Sequence, residues 1–153
     1  MYLYNRMKNY SVEQVGNDLR IQASMIDSIH EMVLELVVGL DDSVIKKVRF
    51  DMIRTPHLLI CKEMEAKART LEGCAVGQGI AKTIKERVGG GEGCHHLVDL
   101  FVEAIKVFKQ GQYRLIYHRE NDRERRKEIY WSELKGTCFY YTHGQEEKYK
   151  GLD

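Results

Sequence analysis

The fold is decided by the stretch VLELVVGLDDSVIKKVRFDM, residues 33–52. Residues 33–38 are apolar and rich in β-branched side chains, which is typical of a strand. Residues 39–43 contain the glycine, aspartates and serine that favour a turn. Residues 44–52 return to a strand pattern, with the even-numbered residues on one face and the odd-numbered residues on the other. We therefore predict a β-hairpin over this stretch.

Strand-like sequence also precedes the hairpin. Every second residue from Leu19 to Met25 is apolar, which predicts a strand with one buried face. Asn17-Asp18 has turn chemistry and comes directly before it. Residues 2–7 form a further candidate strand at the start of the chain.

Helical periodicity replaces the strand pattern after Pro56, since proline ends regular strand pairing. Two short segments have apolar residues spaced i, i+4 and i+7 or i+8. They contain Met64, Ala68 and Leu71 in the first segment, and Ile80, Ile84 and Val88 in the second. A longer apolar stripe runs through residues 94–109. Strands followed by helices indicate an α+β fold, with an antiparallel sheet of three to four strands and helices packed on one face.

The length and composition favour a single domain with an extension. The chain has 153 residues, of which 43% are hydrophobic and 31% charged, as in ordinary globular proteins. We predict one α+β domain over residues 1–110. Residues 111–153 are predicted to be a C-terminal helical and aromatic extension that packs on the same domain. The extension contains a charged run, residues 119–127.

Charge and hydropathy argue against two classes of partner. A net charge of +1 gives no field that would attract nucleic acid, and no apolar run reaches the roughly 18 to 20 residues that span a bilayer. The N-terminal residues lack the order of a signal peptide. We therefore expect a cytoplasmic protein whose cysteines are free thiols, ligands or nucleophiles rather than disulfides. These cysteines are Cys61, Cys74, Cys94 and Cys138.

A glycine-rich segment, GGGEGCHH at residues 89–96, leads into the long predicted helix. It places Cys94 at the helix start, where free N–H groups and the positive end of the helix dipole favour a thiolate. His96 follows in the same turn, with His95 between them. A thiolate and an imidazole from one turn form part of a metal site. The alternative is a flexible connection between helices, with Cys94 as a small core side chain.

Two further donors lie where the predicted topology brings chain ends together. His30 comes just before the central strand, beside Glu31, and Cys61 opens the helix that follows the hairpin. A strand start, the end of its antiparallel neighbour and a helix N-terminus can meet at one edge of the sheet. We therefore predict a metal site formed by Cys61, Cys94, His96 and His30. Thiolates and imidazoles suit zinc, iron or an iron–sulfur cluster.

Two other functions fit the same sequence. Cys94 could be the nucleophile of an enzyme, with His96 or His30 as its base and Glu31 orienting that base. The chain could instead be a non-catalytic interaction module, whose aromatic extension binds a protein partner or forms a homodimer. The aromatic residues concerned are Tyr130, Trp131, Phe139, Tyr140 and Tyr141.

The motifs between residues 28 and 110 resemble a bacterial family described only as a domain of unknown function. The similar elements are His30-Glu31-Met32 before a strand, a proline five residues before Cys61 at a helix start, glycines between helices, and the run Gly93-Cys94-His95-His96-Leu97. This last element has the pattern Gly-Cys-x-His-Leu. The resemblance implies membership of a family but no mechanism.

The order of the elements also resembles, more distantly, the iron–sulfur cluster scaffold proteins of the IscU/NifU type. Those proteins hold a cluster or zinc with cysteines from three places. Cys61 and Cys94 occupy positions similar to the second and third of these cysteines. The first has no counterpart, and His30 with Glu31 is the nearest substitute. The resemblance implies a scaffold-like fold that binds metal.

Overall fold

A four-stranded antiparallel sheet comes first in the chain. The computed structural model describes Met1 and residues 3–146. The strands are β1 (Arg6–Val15), β2 (Asp18–Asp27), β3 (Glu31–Gly39) and β4 (Ile45–Arg54), and they lie in the order β1-β2-β3-β4. Each strand pairs with the next in antiparallel register. The predicted hairpin is confirmed, because β3 pairs with β4.

Helices follow the sheet, which confirms the predicted α+β fold. They are α1 (Leu58–Cys61), α2 (Glu63–Arg69), α3 (Ile80–Val88), α4 (His95–Arg119), α5 (Arg123–Leu134) and α6 (Phe139–His143). The predicted apolar spacings correspond to α2, α3 and α4. Within the described residues, none of these helices is both long and apolar enough to cross a membrane.

The core consists of residues from one face of the sheet and from α2, α3 and the first part of α4. Every second residue from Leu19 to Met25 is buried, as the period of two predicts, and so is every second residue from Met32 to Val38. α4 adds its apolar stripe to this core, and Phe101 is fully buried. The helix packs closely on the sheet at Gly111. A Cβ atom there would lie 2.9 Å from side-chain atoms of both Leu19 and Val12.

The predicted alternation is wrong at the start of β4. Ile45 is buried and pairs with Val38, whereas Val37 pairs with Lys47. Lys46 is therefore an extra residue in the strand, which is a β-bulge. A bulge shifts the residues before it by one position, so an odd-numbered residue points into the core there. After the bulge, the even-numbered face is buried as predicted.

The first strand also differs from its prediction. A strand was expected over residues 2–7, of which Tyr2 lies outside the described residues, but β1 begins at Arg6 and runs to Val15. Its residues are mostly exposed or half-buried, so they carry no strong apolar alternation. β1 is held by its pairing with β2 across a tight turn at Gly16, which has a φ of +61°.

The two edges of the sheet differ in how they are covered. The outer edge of β4 faces α2, and two backbone N–H groups there donate to glutamate side chains. The Val48 N–H lies 2.8 Å from Glu72 Oε1, and the Met52 N–H lies 3.3 Å from Glu65 Oε1. β1 is the other edge, and no described strand pairs with its outer side.

The chain divides into two compact units, Met1–Gly111 and Gln112–Asp153. In the second unit, Trp131 packs against Tyr140 and Tyr141, with ring centroids 5.4 and 5.2 Å away. The Asp122 side chain caps α5 by accepting hydrogen bonds from two backbone N–H groups. The packing of residues 111–153 on the preceding domain stays a prediction.

Candidate functional site

A polar cluster lies at the end of the sheet where β1 starts, β2 ends and β3 starts. It consists of Arg6 in β1, Asp27 in β2, His30 just before β3, and His96 in the first turn of α4. We call these four residues the Asp27 cluster. Asp27 and His96 are the buried polar or charged residues of the described chain. The pairing register brings Arg6 opposite Asp27.

Asp27 is 6% exposed, and both of its carboxylate oxygens are satisfied. Oδ1 accepts hydrogen bonds from the backbone N–H groups of Ile29 at 2.8 Å and His30 at 2.6 Å. Oδ2 accepts from the Tyr4 hydroxyl at 2.8 Å and from Arg6 Nη2 at 2.7 Å. Burial alone would raise the pKa of Asp27, but these hydrogen bonds outweigh it and hold the pKa well below its usual range.

The turn that carries His30 is fixed from two sides. The Asp27 N–H donates to the His30 carbonyl at 2.9 Å, which closes the turn between β2 and β3. Arg54, at the end of β4, donates to the carbonyl of Asp27 at 2.8 Å and to that of Ser28 at 3.1 Å. The backbone of the turn that precedes β3 is therefore held by groups from both β2 and β4.

His96 is 7% exposed, and its Nε2 lies 2.7 Å from Arg6 Nη2. A guanidinium can only donate, so Nε2 accepts this hydrogen bond and the ring proton lies on Nδ1. Burial, followed by repulsion from His95, Arg6 and His30, lowers the pKa of His96 to about 4. His96 is therefore a neutral imidazole at pH 7.

His30 has an unsatisfied nitrogen. Its Nδ1 lies 3.3 Å from Asp27 Oδ1, but this buried atom makes no hydrogen bond in the described part of the chain. The ring centroid of His30 is 4.5 Å from that of His96. A buried polar atom without a partner carries a free-energy cost, so it is a natural position for a further ligand.

Three side chains of the cluster bring possible metal-ligand atoms close together. One ligand atom each from Asp27, His30 and His96 lie within 4.8 Å of one another. Among the described residues, no other group of three or more His, Cys, Asp or Glu side chains has its ligand atoms so close together. It combines one carboxylate with two imidazoles.

The predicted ligands are divided between this group and other places. The structure brings His30 and His96 together. Cys61 and Cys94 belong to no group of three close ligand atoms in the described part of the chain. Cys61 ends α1 rather than beginning a helix, and its Sγ accepts a hydrogen bond from the Thr55 hydroxyl at 3.6 Å. Cys94 is a half-buried free thiol directly before α4. The complete four-ligand Cys/His set stays a prediction.

Sequence reasoning missed Asp27 and Arg6. The signal for Asp27 lies in the alternation of β2, since position 27 continues the buried face that runs from Leu19 to Met25. A carboxylate on a buried face needs partners, and so marks a site. Arg6 carries no such signal, because β1 is a largely exposed edge strand. Only the register, which pairs it with Asp27, identifies it.

The glycine-rich segment positions the first turn of α4. Gly90 has a φ of +72°, which favours glycine. A Cβ atom at Gly93 would collide with the backbone carbonyls of Val88 and Gly89, so only glycine fits there. The Cys94 N–H donates to the Val88 carbonyl at 2.8 Å and so anchors the helix start. These glycines therefore have a turn and packing role at the start of α4.

The two rival functions stay predictions. In the described residues, no hydrogen bond joins the Cys94 thiol to His30 or His96. Glu31, the predicted orienting group, instead lies 3.8 Å from the Arg54 guanidinium. In the aromatic extension, Trp131 packs on tyrosines of the same unit.

Comparison with known proteins identifies the family of this chain. No curated protein and no solved structure matches the chain. The family described as "Protein of unknown function (DUF2889)" matches residues 5–110, which contain the whole Asp27 cluster. The predicted resemblance to a domain of unknown function is thereby confirmed. Because the match covers more than half of the chain, the protein belongs to the DUF2889 family.

Proposed function

We propose that this protein binds a divalent metal ion, zinc or iron(II), through Asp27, His30 and His96. The observation that supports the proposal is the convergence of three ligand atoms within 4.8 Å. Asp27 and His30 lie at the two ends of the turn between β2 and β3, and His96, in the first turn of α4, is distant from both in sequence.

The protonation states of the donors favour a cation. A carboxylate with a lowered pKa is ionised, and a neutral histidine offers a lone pair. Two imidazoles and one carboxylate are ligands that zinc and iron(II) both accept, with positions left for further ligands. The backbone N–H groups that bind Asp27 Oδ1 would act as outer partners that orient the carboxylate.

The cysteines decide between two forms of the site. An iron–sulfur cluster is held by thiolates, as the resemblance to IscU/NifU-type scaffolds implies. Cys61 and Cys94 lie outside the close group among the described residues, so a single ion is the form that the geometry favours.

Metal titration tests the proposal. Protein stripped with a chelator is titrated with Zn²⁺ in a calorimeter and with Fe²⁺ under anaerobic conditions. We expect about one ion per chain and a loss of affinity of at least about tenfold in His30→Gln and His96→Gln. His118→Gln is the matched control, because His118 is an exposed histidine near the far end of the same helix. Equal binding by the wild type and by His96→Gln would contradict the proposal.

Cysteine variants test the form of the site. If the three-residue site is correct, Cys61→Ser and Cys94→Ser bind Zn²⁺ as the wild type does. A loss in both variants would instead support the four-ligand Cys/His set predicted from the sequence.

A further inference from the structure

Arg6 lies between two of the three proposed metal ligands. Its Nη2 is 2.7 Å from Asp27 Oδ2 and 2.7 Å from His96 Nε2. Both contacts use lone pairs that a metal ion would need. The His96 nitrogen has a single lone pair, so it cannot accept this hydrogen bond and bind a metal ion at the same time.

We propose that Arg6 is a built-in competitor of the metal ion, and that metal binding requires its side chain to leave the Asp27 cluster. Arg6 then sets the affinity of the site, and binding is coupled to release of the N-terminal segment, residues 4–6. This inference rests on the proposed function.

The hydrogen bonds of Asp27 explain why the segment is released as a whole. Oδ1 is held by the backbone amides of Ile29 and His30, which belong to the turn itself. Oδ2 is held by Tyr4 and Arg6, which both belong to the N-terminal segment. A metal ion at Oδ2 therefore replaces contacts from that segment and leaves the turn intact.

Arg6 has a path out of the site. Its side chain is 27% exposed, whereas the carboxylate of Asp27 is fully buried. It also lies at the first residue of an edge strand, where few neighbours hold the backbone. The guanidinium lies 5.3 Å from the centre of the Tyr4 ring, so the two side chains can move together.

The charge of Arg6 adds to the competition. A guanidinium keeps its positive charge throughout the usable pH range, so it repels a second cation at every pH. Removal of this charge both frees the ligand atoms and removes the repulsion.

Zn²⁺ affinity of Arg6 variants tests the inference. Arg6→Met keeps the length of the side chain but removes the donors and the charge, and we expect its affinity to rise about tenfold or more. Tyr4→Phe removes one hydrogen bond to the same oxygen, so a smaller rise is expected. Lys8→Met is the matched control, because Lys8 is a cation on the same strand and pairs with Asp99 at 3.4 Å instead. Its affinity should stay within about twofold of the wild type.

Hydrogen exchange of the wild-type protein gives a test without mutation. With saturating Zn²⁺, the backbone amides of residues 4–6 should exchange faster, while those of the β3–β4 hairpin keep their rates. This measurement also covers the case in which Arg6→Met fails to fold because Asp27 has lost its partner.

The outcomes separate this inference from the proposed function. If Zn²⁺ binding depends on His96, but Arg6→Met binds no more tightly and exchange in residues 4–6 is unchanged, Arg6 is no competitor and the metal site stands. If neither the wild type nor Arg6→Met binds Zn²⁺, the proposed function and this inference both fail.

Discussion

Single residues at the end of the sheet carry most of the chemistry of this protein. Asp27 and His96 are buried with opposite tendencies, because hydrogen bonds stabilise the charged form of the first and burial with nearby cations stabilises the neutral form of the second. Arg6 joins them through one nitrogen. The same three side chains therefore form a structural network and a candidate binding site.

The low pKa of His96 predicts a loss of stability in mild acid. The unfolded chain takes up a proton at His96 below its ordinary pKa of 6.5, whereas the folded protein does so only near pH 4. The contribution is therefore fully present above pH 6.5 and is lost as the pH falls towards 4. It amounts to about 3 kcal/mol of unfolding free energy.

Urea unfolding followed by circular dichroism at several pH values between 4 and 7.5 measures this effect. His96→Gln should lose most of the pH dependence in that window, while His118→Gln, which changes an exposed histidine near the far end of the same helix, should keep it. Identical pH profiles for the wild type and His96→Gln would refute this assignment. Asp27 contributes at lower pH, since its stabilisation is lost only below its ordinary pKa of 3.8.

The sequence predicts the burial of residues that follow the regular period of a strand. It does not predict the position of a side chain that depends on one particular contact. Leu19 and Ile21 follow the period of the sheet, so their burial could be predicted. The position of His30 before β3 also follows from the strand pattern. The directions of the Cys61 and Cys94 thiols depend instead on the packing of helices, which no spacing in the sequence encodes.

At the scale of elements, α4 determines how closely the helical layer approaches the sheet. The contact is close at Gly111, where a side chain would meet Leu19 and Val12. Leu19 is fully buried and has no room to move. The glycine is therefore required by the packing of α4 on β1 and β2, although glycine weakens a helix interior.

We predict that Gly111→Val destabilises the protein by about 2 to 3 kcal/mol, because the added atoms overpack a filled core. Gln110→Val is the control, since it places the same β-branched residue on an exposed position of the same helix. Thermal unfolding of the two variants compares them directly. Equal melting temperatures would mean that the helix can move away from the sheet without penalty.

The strands also limit what a sequence pattern can predict. β2 and β3 lie in the middle of the sheet and bury alternate residues, so their patterns are strong. β1 lies at an edge, and its pattern is weak for that reason. The bulge at Lys46 depends on the pairing with β3, and no apolar period within β4 announces it.

At the scale of the whole molecule, the buried core ends before the second compact unit begins. No residue from 112 to 146 is buried, and Gly111 is the last buried residue of the described chain. The family match also ends at residue 110. The structural requirements of the sheet and of the Asp27 cluster thus lie within the first unit.

We therefore predict that a chain ending at Arg119 still folds. Its melting temperature should stay within about 5 °C of the full-length value, because little buried surface is lost. Circular dichroism and Zn²⁺ titration would measure folding and site integrity together. An unfolded product would show that residues 120–153 are part of the folding unit, as the predicted packing of the extension requires.

The unequal edges of the sheet limit how copies of this chain can assemble through strand pairing. Glu65 of α2 and Glu72, just after α2, already accept hydrogen bonds from two backbone N–H groups on the β4 side, whereas no described strand pairs with the outer side of β1. Two copies paired through β1 would consume both open edges and leave both covered edges outermost. Growth by strand pairing would then stop at a closed pair, because a covered edge offers no template for a further strand.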